Sequence, residues 1–316
     1  MAIQVLIIDP LGEYYRKGLQ AAFPSIDIRT VATRPEVGEL MADVDVICAM
    51  GGLRVFDDEL VRKAVRLRWI QAFTTGTDGV TRQPSLKREV LLTSMRGIHG
   101  PQMSEMALLM MIALARDYPR MLRNQDRAVW DRFQQRRLFG KTVAILGVGI
   151  IGTDLAKRAK AFGMRVIGIS STPRPLASFD RMYARAELEK AASEADFLVV
   201  LVPYSSETDR IVNERILSAM KPSAYLINIA RGGVCDEQAL LAALQEKRIA
   251  GAALDVFARE PLDPAHPFWK MDNVIVTPHL GGQSDVYHEQ VLDVLLTNMK
   301  CFVENRPSEM INLVAH

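Results

Sequence analysis

The stretch Lys141–Pro175, "KTVAILGVGIIGTDLAKRAKAFGMRVIGISSTPRP", decides the fold. An apolar strand ends at Leu146 and runs into a Gly-x-Gly-x-x-Gly turn at 147–152. A helical pattern follows, and a second strand is expected from Arg165 to Ser170. Gly147 permits the tight turn, Gly149 lets the backbone approach a pyrophosphate, and Gly152 lets the helix pack closely on the strand. Val148, Ile150 and Ile151 complete the turn, where the helix N-terminus offers free N–H groups to an anion. A bare glycine pattern says little. Here the preceding strand, the following helix and the second strand supply the context that dinucleotide binding requires.

The end of the second strand is unusual. A carboxylate there would bind both adenosine ribose hydroxyls of NAD and repel a 2′-phosphate. The chain instead reads Ser170, Ser171, Thr172, Pro173, Arg174. Ser170 removes the repulsion, Ser171 and Thr172 offer hydroxyls, and Arg174 offers a guanidinium fork suited to phosphate. NADP(H) is therefore the expected preference, with NAD(H) still possible.

Working outward, the 316 residues suffice for one large or two ordinary domains. Apolar residues make up 49% and charged residues 24%, as in an ordinary globular protein. A formal net charge of +2 gives no basic excess of the kind that nucleic acid or a membrane surface would attract. Cys48, Cys235 and Cys301 are scattered, which argues against a disulfide framework or structural zinc and fits a reducing compartment. No metal site is expected. The first residues, "MAIQVLIIDP", read as a strand, and no uncharged apolar run is long enough for a membrane span. The expectation is a soluble cytoplasmic protein.

Strand-like runs alternate with helical patterns almost throughout, the signature of parallel sheets covered by helices. "IQVLIID", "IDIRTVA", "VDVICAM" and "RWIQAFTTGTDGV" define a first α/β region up to about residue 97. The tract "SEMALLMMIALARDYPRML" is apolar on nearly every face, so part of it should be buried, and Pro119 should kink or break it. "RNQDRAVWDRF" continues it as an arm suited to lie on another surface; an arm of about 102–135 is expected to form a homodimer interface. The fold class is thus α/β, with two Rossmann-like doubly wound parallel sheets.

Ligands of open α/β sheets sit beyond the carboxyl ends of the strands. Three ionisable residues fall there: Arg231 after "YLINIA", Glu260 after "AALDVFAR" and His279 after "VIVTP". Singly, each reads as easily as a structural pair, a loop charge or a cap. Together they suit reduction of a 2-oxo acid. Arg grips a carboxylate and polarises a carbonyl, imidazole supplies the proton, and a neighbouring carboxylate orients the imidazolium.

"GVGIIG", "NIARGGVCDEQAL", "GAALDVFAREPL" and "NVIVTPHLGG" resemble, in order and spacing, the signatures of the D-isomer-specific 2-hydroxyacid dehydrogenase family. The likeness extends over essentially the whole chain. It implies that Arg231 binds substrate and activates its carbonyl, that His279 is the proton donor, and that Glu260 is its paired carboxylate. Asp255 would contact the nicotinamide carboxamide. Val202, Pro203, Tyr204 and Thr208 match the loop beside adenosine and pyrophosphate, and Ile229, Ala230, Gly281 and Gly282 lie along the cofactor path. The substrate carboxylate would meet N–H groups of Thr75 and Gly76, a loop that also reads as an anion-binding nest. Met50, Gly51, Gly52 and Leu53 are candidates for the side-chain pocket.

The resemblance further implies a discontinuous substrate-binding domain, 1–97 with 288–316, and a dinucleotide domain, 98–287, hinged about a cleft that closes during transfer. Two features depart from the pattern. Ser170 stands where aspartate is frequent, and "SMRGIHGPQMSE" differs from the commoner form, so roles are not carried over to Met95, Arg96 or His99. The expected substrates are small 2-oxo acids such as glyoxylate and hydroxypyruvate. A cofactor-sensing corepressor of the same fold is the competing reading, and a dehydrogenase of formate or phosphite is a third.

Overall fold

The structure, a computed structural model, describes residues 2–52 and 55–316; Leu53 lies outside the described residues. The chain divides into two compact units, one of Met1–His99 with Ser284–His316, the other Gly100–Gln283.

In the first unit the strands are β1 (Gln4–Ile8), β2 (Asp27–Val31), β3 (Val46–Ala49), β4 (Trp69–Ala72) and β5 (Leu91–Thr93). All pair in parallel, in the order β2-β1-β3-β4-β5. This is the flavodoxin-type winding. Alternate residues of the strands feed two different cores, as a period of two demands of a sheet buried on both faces. Val5, Ile7, Val46 and Cys48 join Leu295 and Phe302 of the C-terminal helix Tyr287–Val303, while Leu6, Ile8, Ile47 and Ala49 join Phe56 and Leu60.

That helix is also pinned by a buried polar chain. Trp69 Nε1 donates to Thr93 Oγ1 at 2.8 Å, and both Thr93 Oγ1 (2.8 Å) and Asn298 Nδ2 (2.9 Å) donate to Gln71 Oε1. Asn298 also exchanges hydrogen bonds with the backbone of Ile311.

The second unit holds β6 (Thr142–Leu146), β7 (Arg165–Ser170), β8 (Arg181–Ala184), β9 (Phe197–Val200), β10 (Tyr225–Asn228), β11 (Gly251–Leu254) and β12 (Val274–Val276). The sheet is parallel throughout, in the order β12-β11-β10-β9-β6-β7-β8. Read from β8, this is the dinucleotide-binding winding with one further strand, its switch point between β6 and β9. Again the strands alternate: Ala144, Leu146, Ile167 and Ile169 enter one core, Val143, Ile145 and Val166 the other. The apolar tract forms a helix, Gly100–Ala115, that buries Ala107, Met110, Met111 and Leu114 in the latter core. It ends before Asp117, whose backbone is left-handed (φ 51°), and Pro119 stands in the first turn of the next helix, Tyr118–Asp126.

The unit boundaries differ slightly from those expected. Ile98, His99 and residues 284–287 group with the first unit, not the second. Side-chain bonds explain this: the Tyr287 hydroxyl donates to the Phe73 carbonyl, and His99 Nδ1 lies 2.8 Å from Thr75 Oγ1. No helix among the described residues is long and apolar enough to cross a membrane.

Candidate functional site

The glycine turn joins β6 to helix Ile150–Ala161. Gly147 has φ +109°, and a Cβ there would lie 2.8 Å from the Leu201 carbonyl carbon. A Cβ on Gly152 would lie 2.2 Å from the Gly147 carbonyl oxygen. These two glycines are therefore demanded by the fold itself. Gly149 is not: a Cβ on it would meet no atom within 4 Å. It caps a helix N-terminus that has no side-chain cap, leaving an open cradle beside unfilled donors. The residues present thus fit a nicotinamide dinucleotide. Val148 and Ile151 flank the turn half-buried, and Ile150 is exposed.

At the end of β7, Ser170 Oγ accepts from Thr172 N at 3.2 Å and shapes the following bend. Ser171, Thr172 and Arg174 are exposed, and no hydrogen bond or ion pair engages the Arg174 side chain among the described residues. Across the switch point, Val202 is buried and Thr208 is 2% exposed. The Thr208 hydroxyl donates to the Pro203 carbonyl at 2.7 Å and accepts from Ser205 N at 2.8 Å, so this side chain builds its own loop. The Tyr204 ring lies over Gly233, where a Cβ would come within 2.5 Å of it.

Arg231, Glu260 and His279 follow β10, β11 and β12, three adjacent parallel strands, and so emerge on one edge of the sheet. Ile229 and Ala230 are buried, and Asn228 braces the Arg231 turn by donating to the Arg231 carbonyl at 3.2 Å and accepting from Ala230 N. Gly232 is forced here, since a Cβ would lie 1.9 Å from the Phe257 carbonyl carbon. His279 Nδ1 and Glu260 Oε2 are 2.8 Å apart, and Glu260 Oε1 accepts from Phe257 N at 3.2 Å. Burial pushes the Glu260 carboxyl up. The His279 hydrogen bond and charge, the Phe257 N–H and the Arg231 guanidinium outweigh it and hold the carboxyl below the usual glutamate range. An ionised carboxylate accepts at His279 Nδ1 and leaves Nε2 as the nitrogen available to a substrate.

His279 is held in a left-handed backbone (φ 57°), uncommon for a residue other than glycine. The support comes from Asp255, 1% exposed. Its Oδ1 accepts from Thr277 Oγ1 at 2.6 Å and Leu280 N at 2.8 Å, and its Oδ2 from Gly281 N at 2.8 Å. Three bonds thus fasten the turn that carries the imidazole. Gly281 is needed for this closeness, because a Cβ would sit 3.0 Å from Asp255 Oδ2; Gly282 is half-buried beside it. Sequence reasoning missed Thr277, a hydroxyl two residues before the histidine, and also Glu237, which accepts from Ala258 N in the loop that carries Glu260, with His266 beside it.

Met50, Thr75 and Gly76 belong to the first unit. Met50 is partly buried and packs against the core that contains Phe73. Gly51 N donates to Thr74 Oγ1 at 3.0 Å, and Thr74 Oγ1 donates to the Gly76 carbonyl at 2.6 Å. The backbone N–H groups of Thr75 and Gly76 bond to nothing among the described residues, as an anion nest requires. His99, 8% exposed, braces this loop through Thr75 Oγ1 and the Met95 carbonyl.

Known proteins resemble this chain over most of its length. Residues 108–281 match the family description "D-isomer specific 2-hydroxyacid dehydrogenase, NAD binding domain". The chain is 33% identical over 289 residues to a glyoxylate reductase of Pyrococcus furiosus, covering 88% of this chain and 85% of that one. It is 32% identical over 317 residues to a D-3-phosphoglycerate dehydrogenase of Methanocaldococcus jannaschii, covering 97% of this chain but only 60% of the longer relative. Among solved structures, an NADPH-dependent glyoxylate/hydroxypyruvate reductase of Sinorhizobium meliloti, in complex with NADP and malonate, superposes with a TM-score of 0.86 at 28% identity. That match covers 100% of this chain and 97% of the other.

Proposed function

This chain belongs to the D-isomer specific 2-hydroxyacid dehydrogenase family, and from that premise we propose that it is an NADP-preferring reductase of small 2-oxo acids, glyoxylate and hydroxypyruvate foremost. The chain is an NAD(P)-dependent oxidoreductase by family; the preference and the substrate are the proposal. The observation that carries the reaction is the 2.8 Å contact of His279 Nδ1 with an ionised Glu260 beside Arg231.

NADPH, when bound at the Gly147–Gly152 turn, supplies the hydride. Arg231 holds the substrate carboxylate and draws electron density onto the 2-oxo oxygen. His279 Nε2 gives that oxygen its proton, while Glu260 keeps Nδ1 protonated and the ring in place. Within the first unit, the unbonded N–H groups of Thr75 and Gly76 are proposed to bind a carboxylate-like anion. The reaction balances as 2-oxo acid plus NADPH plus a proton giving 2-hydroxy acid and NADP⁺. Three features support the choice of NADPH: the absent acid at Ser170, the exposed hydroxyls that follow, and the unengaged Arg174. The relative from Sinorhizobium meliloti is itself NADPH-dependent.

NADPH and NADH oxidation against a panel of 2-oxo acids tests the reading. Turnover with glyoxylate or hydroxypyruvate at higher kcat/KM with NADPH supports it. Tight cofactor binding with no turnover would favour a cofactor sensor instead. The arm is proposed to pair two copies: Trp130 is 94% exposed, next to half-exposed Val129, with Leu122 and Leu109 also exposed. A sedimentation mass of two chains at micromolar concentration is expected, and a mass of one chain would remove the pairing.

A further inference from the structure

Immediately after the Arg231 turn, Asp236 and Glu237 do different work. Asp236 caps helix Glu237–Gln245 by accepting from Ala239 N at 3.1 Å. Glu237 reaches away from the helix: its Oε2 accepts from Ala258 N at 3.0 Å, and its Oε1 lies 3.6 Å from His266 Nε2. His266 Nδ1 accepts the Phe268 N–H at 3.3 Å, so the neutral ring carries its proton on Nε2, the nitrogen that faces Glu237. That ring packs on Phe268 at 4.5 Å between centroids. The pair is largely enclosed, with side chains 15% and 21% exposed for His266 and Glu237.

Ala258 sits in the loop that carries Glu260. Its N–H goes to Glu237, while the preceding N–H, of Phe257, goes to Glu260. The same peptide touches the Arg231 turn, since a Cβ on Gly232 would lie 2.3 Å from Ala258 N as well as 1.9 Å from the Phe257 carbonyl carbon. The Arg231 turn and the Glu260 loop therefore meet backbone to backbone, with one carboxylate accepting at the junction. Without that acceptor, the Ala258 N–H must turn toward water. The Phe257–Ala258 peptide would turn with it and loosen the grip of Phe257 N on Glu260.

We propose that Glu237, steadied by His266, is a positioning residue that locks the Glu260 loop to the Arg231 turn and so sets how firmly Glu260 holds His279. The inference rests on the reading of Glu260 and His279 as the proton-transfer pair.

The test compares Glu237→Ala, Glu237→Gln and His266→Phe in the full chain. Carbon-13 titration of the Glu260 carboxyl, assigned by its loss in Glu260→Gln, is read beside kcat for glyoxylate and KM for NADPH. Glu237→Ala is expected to move the Glu260 midpoint up by about half a pH unit or more. It should also lower kcat about ten-fold while the NADPH KM stays within about two-fold. Glu237→Gln, which keeps an acceptor for Ala258 N, should restore most of both. His266→Phe should shift the midpoint the same way, by less. An unchanged Glu260 midpoint in folded Glu237→Ala, or in His266→Phe should the first variant not fold, overturns the proposal. The titration needs no turnover, so a wild-type chain inactive on every 2-oxo acid would sink the reductase reading while the carboxyl shift still decides the role of Glu237.

Discussion

Glu260 Oε2 and His279 Nδ1 meet at 2.8 Å across nineteen residues of chain because β11 and β12, which precede them, are paired neighbours running the same way. The contact fixes a sign for pH dependence. A carboxyl whose pKa is lowered in the folded chain stabilises the fold fully above its unfolded value, about 4.3, and loses that contribution as pH falls through the lower folded value. The wild-type advantage in unfolding midpoint over Glu260→Gln should therefore be present at about pH 5 and shrink as pH falls below about 4.3. Unfolding followed by circular dichroism between about pH 5 and pH 3 checks it; an advantage that grows as pH falls below about 4.3 contradicts the assignment.

The exposed Arg174 and the bend at Ser170 bear on cofactor choice. Arg174→Ala should lower kcat/KM for NADPH by about ten-fold or more and leave NADH nearly unchanged, since only the 2′-phosphate gains from a guanidinium. Ser170→Asp should reverse the preference by restoring the ribose acceptor and adding repulsion. Steady-state kinetics with both cofactors decide, and an equal loss for both in Arg174→Ala would remove the phosphate role.

Stability of the first unit should depend on one buried amide. Asn298→Ala removes the buried bond to Gln71 Oε1 and takes the acceptor from the part-buried Ile311 N–H. A cost of about 2 kcal/mol or more is expected, measured by urea unfolding. A loss below about 0.5 kcal/mol would mean that water replaces the amide at no cost.

Much of this was legible in the residues. The strand expected at Arg165–Ser170 has those bounds in the structure, because its apolar run ends where polar residues begin. The dinucleotide winding followed from a glycine turn set between strand and helix. β8 was not singled out: Arg181, Met182 and Ala184 are exposed or half-exposed on an edge strand, so little apolar pattern marks it. The unit boundaries shifted by two to four residues because His99 and Tyr287 bond to loops remote in sequence. The supports behind the site were hidden for the same reason. Glu237 reads as an ordinary first-turn acid until Ala258 is brought against it, and Thr277 as a strand-end hydroxyl until Asp255 lies beneath it. Asp255 was read only as a cofactor contact; its three bonds to the 277–281 turn required the fold.

The most direct measurement is kcat for NADPH-dependent glyoxylate reduction by His279→Gln beside the wild type, with NADPH affinity determined for each. A fall in kcat of about a hundred-fold or more is expected, with affinity changed by less than about three-fold. A His279→Gln chain that reduces glyoxylate at the wild-type rate would contradict the assignment of the proton to His279.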